Sequence, residues 1–206
     1  MTIIYLIRHA EGFRPIQGIF NTNDTVQLIN EKSPLSYDGE KLAENIANNS
    51  EFKDIDAVWC SNYVRAMCTA KYFAVNNDLK VNLDDRLKER IQGITTWEEL
   101  PSNFGEKQFQ DETYKIGFGE NQIEVRKRME EVFEEILDAN KNKKVVIVGH
   151  STAIAFLLKK WCEVSYDGPY KFEGKEFFDG KWNFCETFKL EFDDDKKLIN
   201  IKNLKF

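Results

Sequence analysis

Three short apolar runs constrain the fold of this chain more than any other feature: IIYLI (residues 3–7), DAVWC (56–60) and KVVIVG (144–149). Each is the kind of segment that a strand buried on both faces of a parallel sheet shows. Helical patterns lie between and after them. Ser36 to about Asn49 opens with a serine N-cap and carries Leu42, Ala43 and Ile46 on one face. Asn62 to about Val75 is an alanine-rich helix, and residues 151–162 form a helix directly after the third strand. The clearest periodicity runs over 121–139, where Ile123, Val125, Met129, Val132, Phe133, Ile136 and Leu137 recur at helical spacing against a charged opposite face. Alternation of this sort predicts an α/β fold, a mostly parallel central sheet flanked by helices.

A length of 206 residues suits a single domain spanning 1–206, with loop insertions at about 11–34 and 91–119. Both insertions mix Gly, Pro and Asn with aromatics, among them Phe13, Phe20, Trp97, Phe104, Phe109 and Phe118. Long loops in compact domains are often functional lids, so specificity is expected there. Near the C-terminus, FCETFKLEF and KKLINIKNLKF read as the arms of a hairpin, and residues 163–206 are expected either to cover a sheet edge or to form a homodimer contact. GFGE at 117–120 contains a Gly-x-Gly, but no strand precedes it and the third glycine is missing, so no dinucleotide site is expected.

A content of 42% hydrophobic and 31% charged residues describes a globular chain, and a net charge of −6 lacks the basic footprint of a nucleic-acid binder. No apolar run reaches the length of a membrane span, and residues 2–7 are too short for the apolar part of a signal peptide. The expectation is therefore no nucleic acid, no membrane and a cytoplasmic location. Cys60, Cys68, Cys162 and Cys185 form no CxxC and no zinc-like pairing with histidine, and read as reduced structural thiols.

The chain has two histidines, and both fall at strand ends: His9 after IIYLI, His150 after KVVIVG with Ser151 and Thr152 opening a helix. Open α/β sheets bind ligands at the carboxyl ends of their parallel strands. Seven of the 29 basic residues are arginine. Arg8 adjoins His9, Arg65 lies early in the helix after DAVWC, and Arg90 follows Glu89 in LKERIQG. A guanidinium fork and a helix N-terminus both suit phosphate oxygens. Arg86, Arg126 and Arg128 read as surface ion pairs.

In order along the chain, LIRHAEG, SNYVRAMCTA, LKERIQG and VIVGHST resemble the four signatures of the histidine phosphatase superfamily, the phosphoglycerate mutase-like proteins. PLSYDGEKLA resembles that family's Leu-Thr-x-x-Gly-x-x-Gln-Ala helix start, and GENQIEVRKRM its Gly-Glu-Ser…Val…Arg helix. The resemblance implies the family's three-layer sandwich. It also implies that His9 is the nucleophile of a phosphohistidine intermediate, with its other ring nitrogen bonded to a backbone carbonyl. Arg8, Arg65 and His150 would surround the phosphoryl group, with Arg90 and Ser151 as further phosphate contacts, and Glu89 would be the general acid. Cationic and donor side chains stand in for a metal ion, so no metal or other cofactor is expected.

The chain departs from the family pattern in places. Ala10 replaces the usual glycine after the histidine, Ser36 the usual threonine, and Pro15 stands near the family's phosphate-touching asparagine, a contact that Arg14 either replaces or leaves unfilled. Three functions compete. One is a phosphoric monoester hydrolase of the histidine acid phosphatase type, acting on a small phosphorylated metabolite. The second is a cofactor-dependent phosphoglycerate mutase; its Glu-Ser-x-Trp-Asn run is replaced here by EGFRPIQG. The third, a non-catalytic phospho-ligand module, would lack the nucleophile or acid that His9 and Glu89 supply.

Overall fold

The computed structural model describes residues 1–13 and 24–206. The elements in order are β1 (Thr2–Arg8), α1 (Val26–Lys32), α2 (Tyr37–Ala47), β2 (Ala57–Cys60), α3 (Val64–Asn76), β3 (Val81–Leu83), α4 (Phe104–Gln110), α5 (Gln122–Ala139), β4 (Lys144–Gly149), α6 (Ser151–Leu158), β5 (Glu163–Val164), β6 (Tyr170–Phe172), β7 (Lys175–Phe178), β8 (Thr187–Phe192) and β9 (Leu198–Leu204). A six-stranded sheet has the order β3-β2-β4-β1-β8-β9. Its first four strands are parallel, and the β8–β9 hairpin joins antiparallel to β1. The expected α/β sandwich with a mostly parallel core is therefore present, and the C-terminal hairpin extends the sheet on the β1 side.

Both faces of the central strands are buried, and alternate residues feed separate cores. Ile4 and Leu6 of β1, with Val145 and Ile147 of β4, pack against α5 and α6. Tyr5 and Ile7, with Val146 and Val148, pack against α2 and α3. This two-sided burial is why the strand sequences read as unbroken apolar runs. It also sets the site. The chain leaves β1 toward helices on one face and leaves neighbouring β4 toward α6 on the other, which opens a crevice between the two strand ends. Arg8 is registered opposite Gly149, so His9 and His150 emerge side by side.

The helix starts follow their capping residues. Ser36 accepts from the Gly39 amide at 3.0 Å, and Asn121 and Glu124 form a capping box that opens α5. Gly39 is required for another reason: a Cβ there would lie 2.1 Å from the Glu11 carbonyl oxygen, so only glycine lets the first turn of α2 rest on the backbone that follows His9. The Glu11 side chain accepts from the Ser36 hydroxyl at 2.7 Å across the same contact.

The segments read as loops are partly helical: α1 lies within 11–34 and α4 within 91–119. The strand β3 and the small antiparallel sheet β5-β6-β7 have strands of only two to four residues, too short to show a period in the sequence. All four cysteines are free. Among the described residues no helix is long and apolar enough to cross a membrane.

Candidate active site

His9 follows β1 and is almost wholly buried. Its Nδ1 lies 2.7 Å from the Ala10 carbonyl oxygen. A carbonyl can only accept, so this network places the proton on Nδ1 and leaves the lone pair on Nε2. Nε2 in turn accepts from Arg65 Nε at 3.0 Å. Burial, then the Arg65 charge, pushes the imidazole pKa down to about 3, so the ring is neutral at physiological pH. The hydrogen bond expected from sequence for a nucleophilic histidine is thus present.

Arg65, in the first turn of α3, organises the site. Besides His9 it donates through Nη2 to His150 Nδ1 at 3.2 Å and through Nη1 to the Asn30 carbonyl on α1. The two imidazoles sit 5.1 Å apart, bridged by one guanidinium. His150 is fully buried; its Nε2–H donates to Ser61 Oγ at 3.0 Å, and burial holds its pKa well below the usual histidine value. Arg8 donates to the Trp182 carbonyl at 3.1 Å and lies over the Phe184 ring, 4.7 Å from its centroid. A cavity of about 260 Å³ is lined by Arg8, His9, Arg65, Asn30, Ser33 and Phe184, with Gly12 and Phe13 at its edge. Guanidinium and imidazole groups that converge on one small polar cavity suit a tetrahedral oxyanion.

Glu89 is held from two directions. Its carboxylate accepts from the amides of Thr152 (3.3 Å) and Ala153 (3.1 Å) at the start of α6, and from the Arg90 amide at 2.9 Å. It therefore borders the His150 end of the crevice, and its charge acts on Arg65. Its backbone is fixed by Arg128, and here the structure corrects the sequence reading. Arg128 is only 13% exposed and is not a surface ion pair. It forks onto Glu120 (2.7 and 2.9 Å) and donates to the carbonyls of Arg86 (2.6 Å), Lys88 (2.9 Å) and Glu89 (3.2 Å). All five N–H groups of the guanidinium are used. Arg86 and Arg126 do pair at the surface, with Asp84 and Glu135 and with Glu112 and Glu130.

The remaining candidates are placed as follows. Arg90 rests over Phe104, 5.2 Å from its centroid. Ser151 is the first residue of α6 and lines a second cavity beside Arg8. Arg14 and Pro15 lie outside the described residues. Sequence reading missed Ser61, Thr69, Glu120 and Arg128. Thr69 links two site segments: its hydroxyl accepts from the Ala10 amide at 3.0 Å and donates to the Arg65 carbonyl at 2.8 Å. A threonine four residues after the helix arginine was the available signal. Among the described residues no group of three or more His, Cys, Asp or Glu could hold a metal ion.

Two buried histidines and two arginines thus meet at the crevice where the order of the parallel strands reverses. The chain belongs to the histidine phosphatase superfamily, branch 1, whose family model matches residues 4–202. The match carries the reading to the superfamily and not to the acid-phosphatase type in particular. The chain is similar to a "Probable phosphoglycerate mutase GpmB" of Yersinia enterocolitica, 28% identical over 165 residues that cover 77% of this chain and 74% of that protein. Its fold is that of a mycobacterial glucosyl-3-phosphoglycerate phosphatase solved with inorganic phosphate (TM-score 0.68, 17% identity, 99% of this chain and 96% of that one). A phosphoserine phosphatase mutant from Entamoeba histolytica, solved with phosphoserine, is also similar (TM-score 0.65, 20% identity, 98% and 97% covered).

Proposed function

We propose that the protein is a metal-independent phosphomonoester hydrolase that acts on a small phosphorylated metabolite through phosphohistidine. The observation that carries this is the His9 hydrogen-bond pair: Nδ1–H tied to the Ala10 carbonyl, Nε2 unprotonated and facing Arg65. Nε2 attacks phosphorus, the P–N bond forms as the ester P–O bond breaks, and the Glu89 carboxyl gives its proton to the departing oxygen. The alcohol leaves. The carboxylate then takes a proton from water, the water oxygen attacks phosphorus, and the P–N bond breaks to release orthophosphate. For the first step Arg65 Nε must turn from His9 onto a phosphoryl oxygen, so its hydrogen bond to the nucleophile is exchanged for one to the substrate. Arg8 and Arg65 then neutralise the equatorial oxygens, while His150, its Nε2–H held by Ser61 Oγ, positions the Arg65 guanidinium through Nδ1.

The mutase reading is favoured by the name of the Yersinia relative, and an assay of 2- and 3-phosphoglycerate interconversion decides it. The test of the central claim is hydrolysis of para-nitrophenyl phosphate in excess EDTA, with acid-labile phosphohistidine trapped on His9 by alkaline quench and mass spectrometry. His9→Ala is expected to abolish the trapped species and lower kcat by about 10⁴-fold or more. Full activity in His9→Ala refutes the nucleophile assignment.

A further inference from the structure

The turn that leads into β8 touches both Arg8 and His9. The Trp182 carbonyl accepts from Arg8 Nη1 at 3.1 Å, and the Phe184 ring centroid lies 4.7 Å from the guanidinium carbon. The Glu186 carbonyl accepts from the Arg8 amide at 2.9 Å, and the Cys185 amide donates to the His9 carbonyl at 3.4 Å. Cys185 has φ +54°, a left-handed conformation that a residue with a Cβ keeps only where its surroundings fix it. The ends of the turn are held by other groups. The Trp182 indole donates to the Tyr170 hydroxyl at 3.2 Å and packs on Phe188, and Thr187 is paired with Ile7 of β1.

Between those ends the path of the chain is set by one carboxylate. The Glu186 side chain is only 2% exposed, and each of its oxygens accepts two hydrogen bonds. Oε2 takes the Asn183 amide and Asn183 Nδ2, both at 3.0 Å, which closes the turn on itself. Oε1 takes Asn203 Nδ2 and Lys205 Nζ, both at 2.6 Å, which ties the turn to the end of β9, 17 and 19 positions further on. A carboxylate offers about four lone-pair sites, so Glu186 is saturated. Burial by itself would raise its pKa, but the bonds from Lys205, Asn203 and Asn183 outweigh burial and hold it below the usual value, so the group is an anion at neutral pH. All four donors lie on the turn or at the end of β9. The carboxylate thus shapes the backbone around Arg8 instead of spending its charge on the guanidinium.

We propose that Glu186 is a positioning residue: its buried carboxylate, clamped to Asn203 and Lys205, fixes the 183–186 turn so that Arg8 is held where it binds the phosphoryl group. The inference rests on the role given to Arg8 in the hydrolase reading above. The test is the affinity for inorganic phosphate, read by phosphorus NMR titration in the wild type, Glu186→Gln, Arg8→Met and the double variant. Glutamine keeps the size of the side chain and one oxygen for Asn183, but sets an NH₂ group against the Asn203 and Lys205 donors. Glu186→Gln is expected to raise the phosphate Kd by about tenfold, and by less than about twofold once Arg8 is replaced, because residues that act through one another are not additive. A structural role alone would lower Tm and weaken phosphate binding equally in both backgrounds. Asn183→Ala, at an exposed position of the turn, removes one donor without disturbing the core. It is expected to raise the Kd by about threefold with the same dependence on Arg8, and it decides the matter if Glu186→Gln does not fold. If the affinity is unmoved, or falls equally with and without Arg8, the positioning inference is wrong and the hydrolase reading stands. If Arg8→Met binds phosphate as tightly as the wild type, the role of Arg8 falls and this inference falls with it.

Discussion

Replacing Arg128 with methionine isolates what positions the general acid. The guanidinium makes five hydrogen bonds: two to the Glu120 carboxylate and three to the carbonyls of Arg86, Lys88 and Glu89. Both partners of the ion pair are largely buried, 13% and 16% exposed. Removing one partner of such a pair costs about 3–5 kcal/mol, because the other charge is left without its counterion. Glu120 keeps one bond, from the Ile91 amide at 2.8 Å, so the lower end of that range is expected. For a chain of this size each kcal/mol lowers Tm by roughly 2–4 °C, which gives a drop of about 6–12 °C. The kinetic consequence is separate. The 86–89 segment loses three anchors, and a displacement of about 1 Å at a reacting group can cost about 100-fold in rate. Arg8, His9 and Arg65 are carried by β1 and α3, so competitive inhibition by inorganic phosphate is expected to persist while kcat falls. In the double variant Glu120→Gln/Arg128→Met the orphaned charge is gone, and part of the Tm returns without recovery of kcat. Unaltered kcat in folded Arg128→Met, or a loss of phosphate affinity as large as the loss of kcat, would refute the positioning argument.

Three further outcomes are open to measurement. Folded His9 stays neutral down to about pH 3, whereas an unfolded histidine protonates near 6.5, so below 6.5 the unfolded chain binds the extra proton and folding stability falls with pH. The slope from this residue is about 1.4 kcal/mol per pH unit between those values, and His150 acts in the same direction. Urea melts from pH 7 to 5 should show that slope reduced in His9→Gln, and an identical slope contradicts the neutral assignment. Gly39→Ala sets a methyl 2.1 Å from the Glu11 carbonyl oxygen and is expected to destabilise by about 1–3 kcal/mol in thermal melts, with lower turnover because the shifted backbone follows His9. Thr69→Val removes the acceptor of the buried Ala10 amide, at about 1–3 kcal/mol in the same melts, whereas Thr69→Ser keeps the bond and most of the stability.

Much of the frame was legible from local pattern. The three central strands are continuous apolar runs because both their faces are covered, α2 announces itself through its Ser36 cap, and α5 through its helical stripe. The positions of His9 and His150 followed from strand ends alone. α1 and α4, each of seven residues, were not legible, because two turns are too few to set a period apart from a loop with scattered aromatics. Arg128 misled for a related reason: on α5 it sits among charged neighbours, and the carbonyls it satisfies lie about forty positions away.

By itself, then, the sequence determined the central strands, the longer helices and the chemical groups at the strand tips, because those depend on spacings of two to four residues that side-chain polarity records; the strand order came with the tertiary structure. The tertiary structure alone decided how those groups are wired. Arg65 joins two histidines that lie 56 and 85 positions from it, and Arg8 is steered by the carbonyl of Trp182, 174 positions away. A hydrogen bond across such a separation leaves no periodic trace in the chain, since its geometry is set by the packed sheet and helices that bring the two ends together.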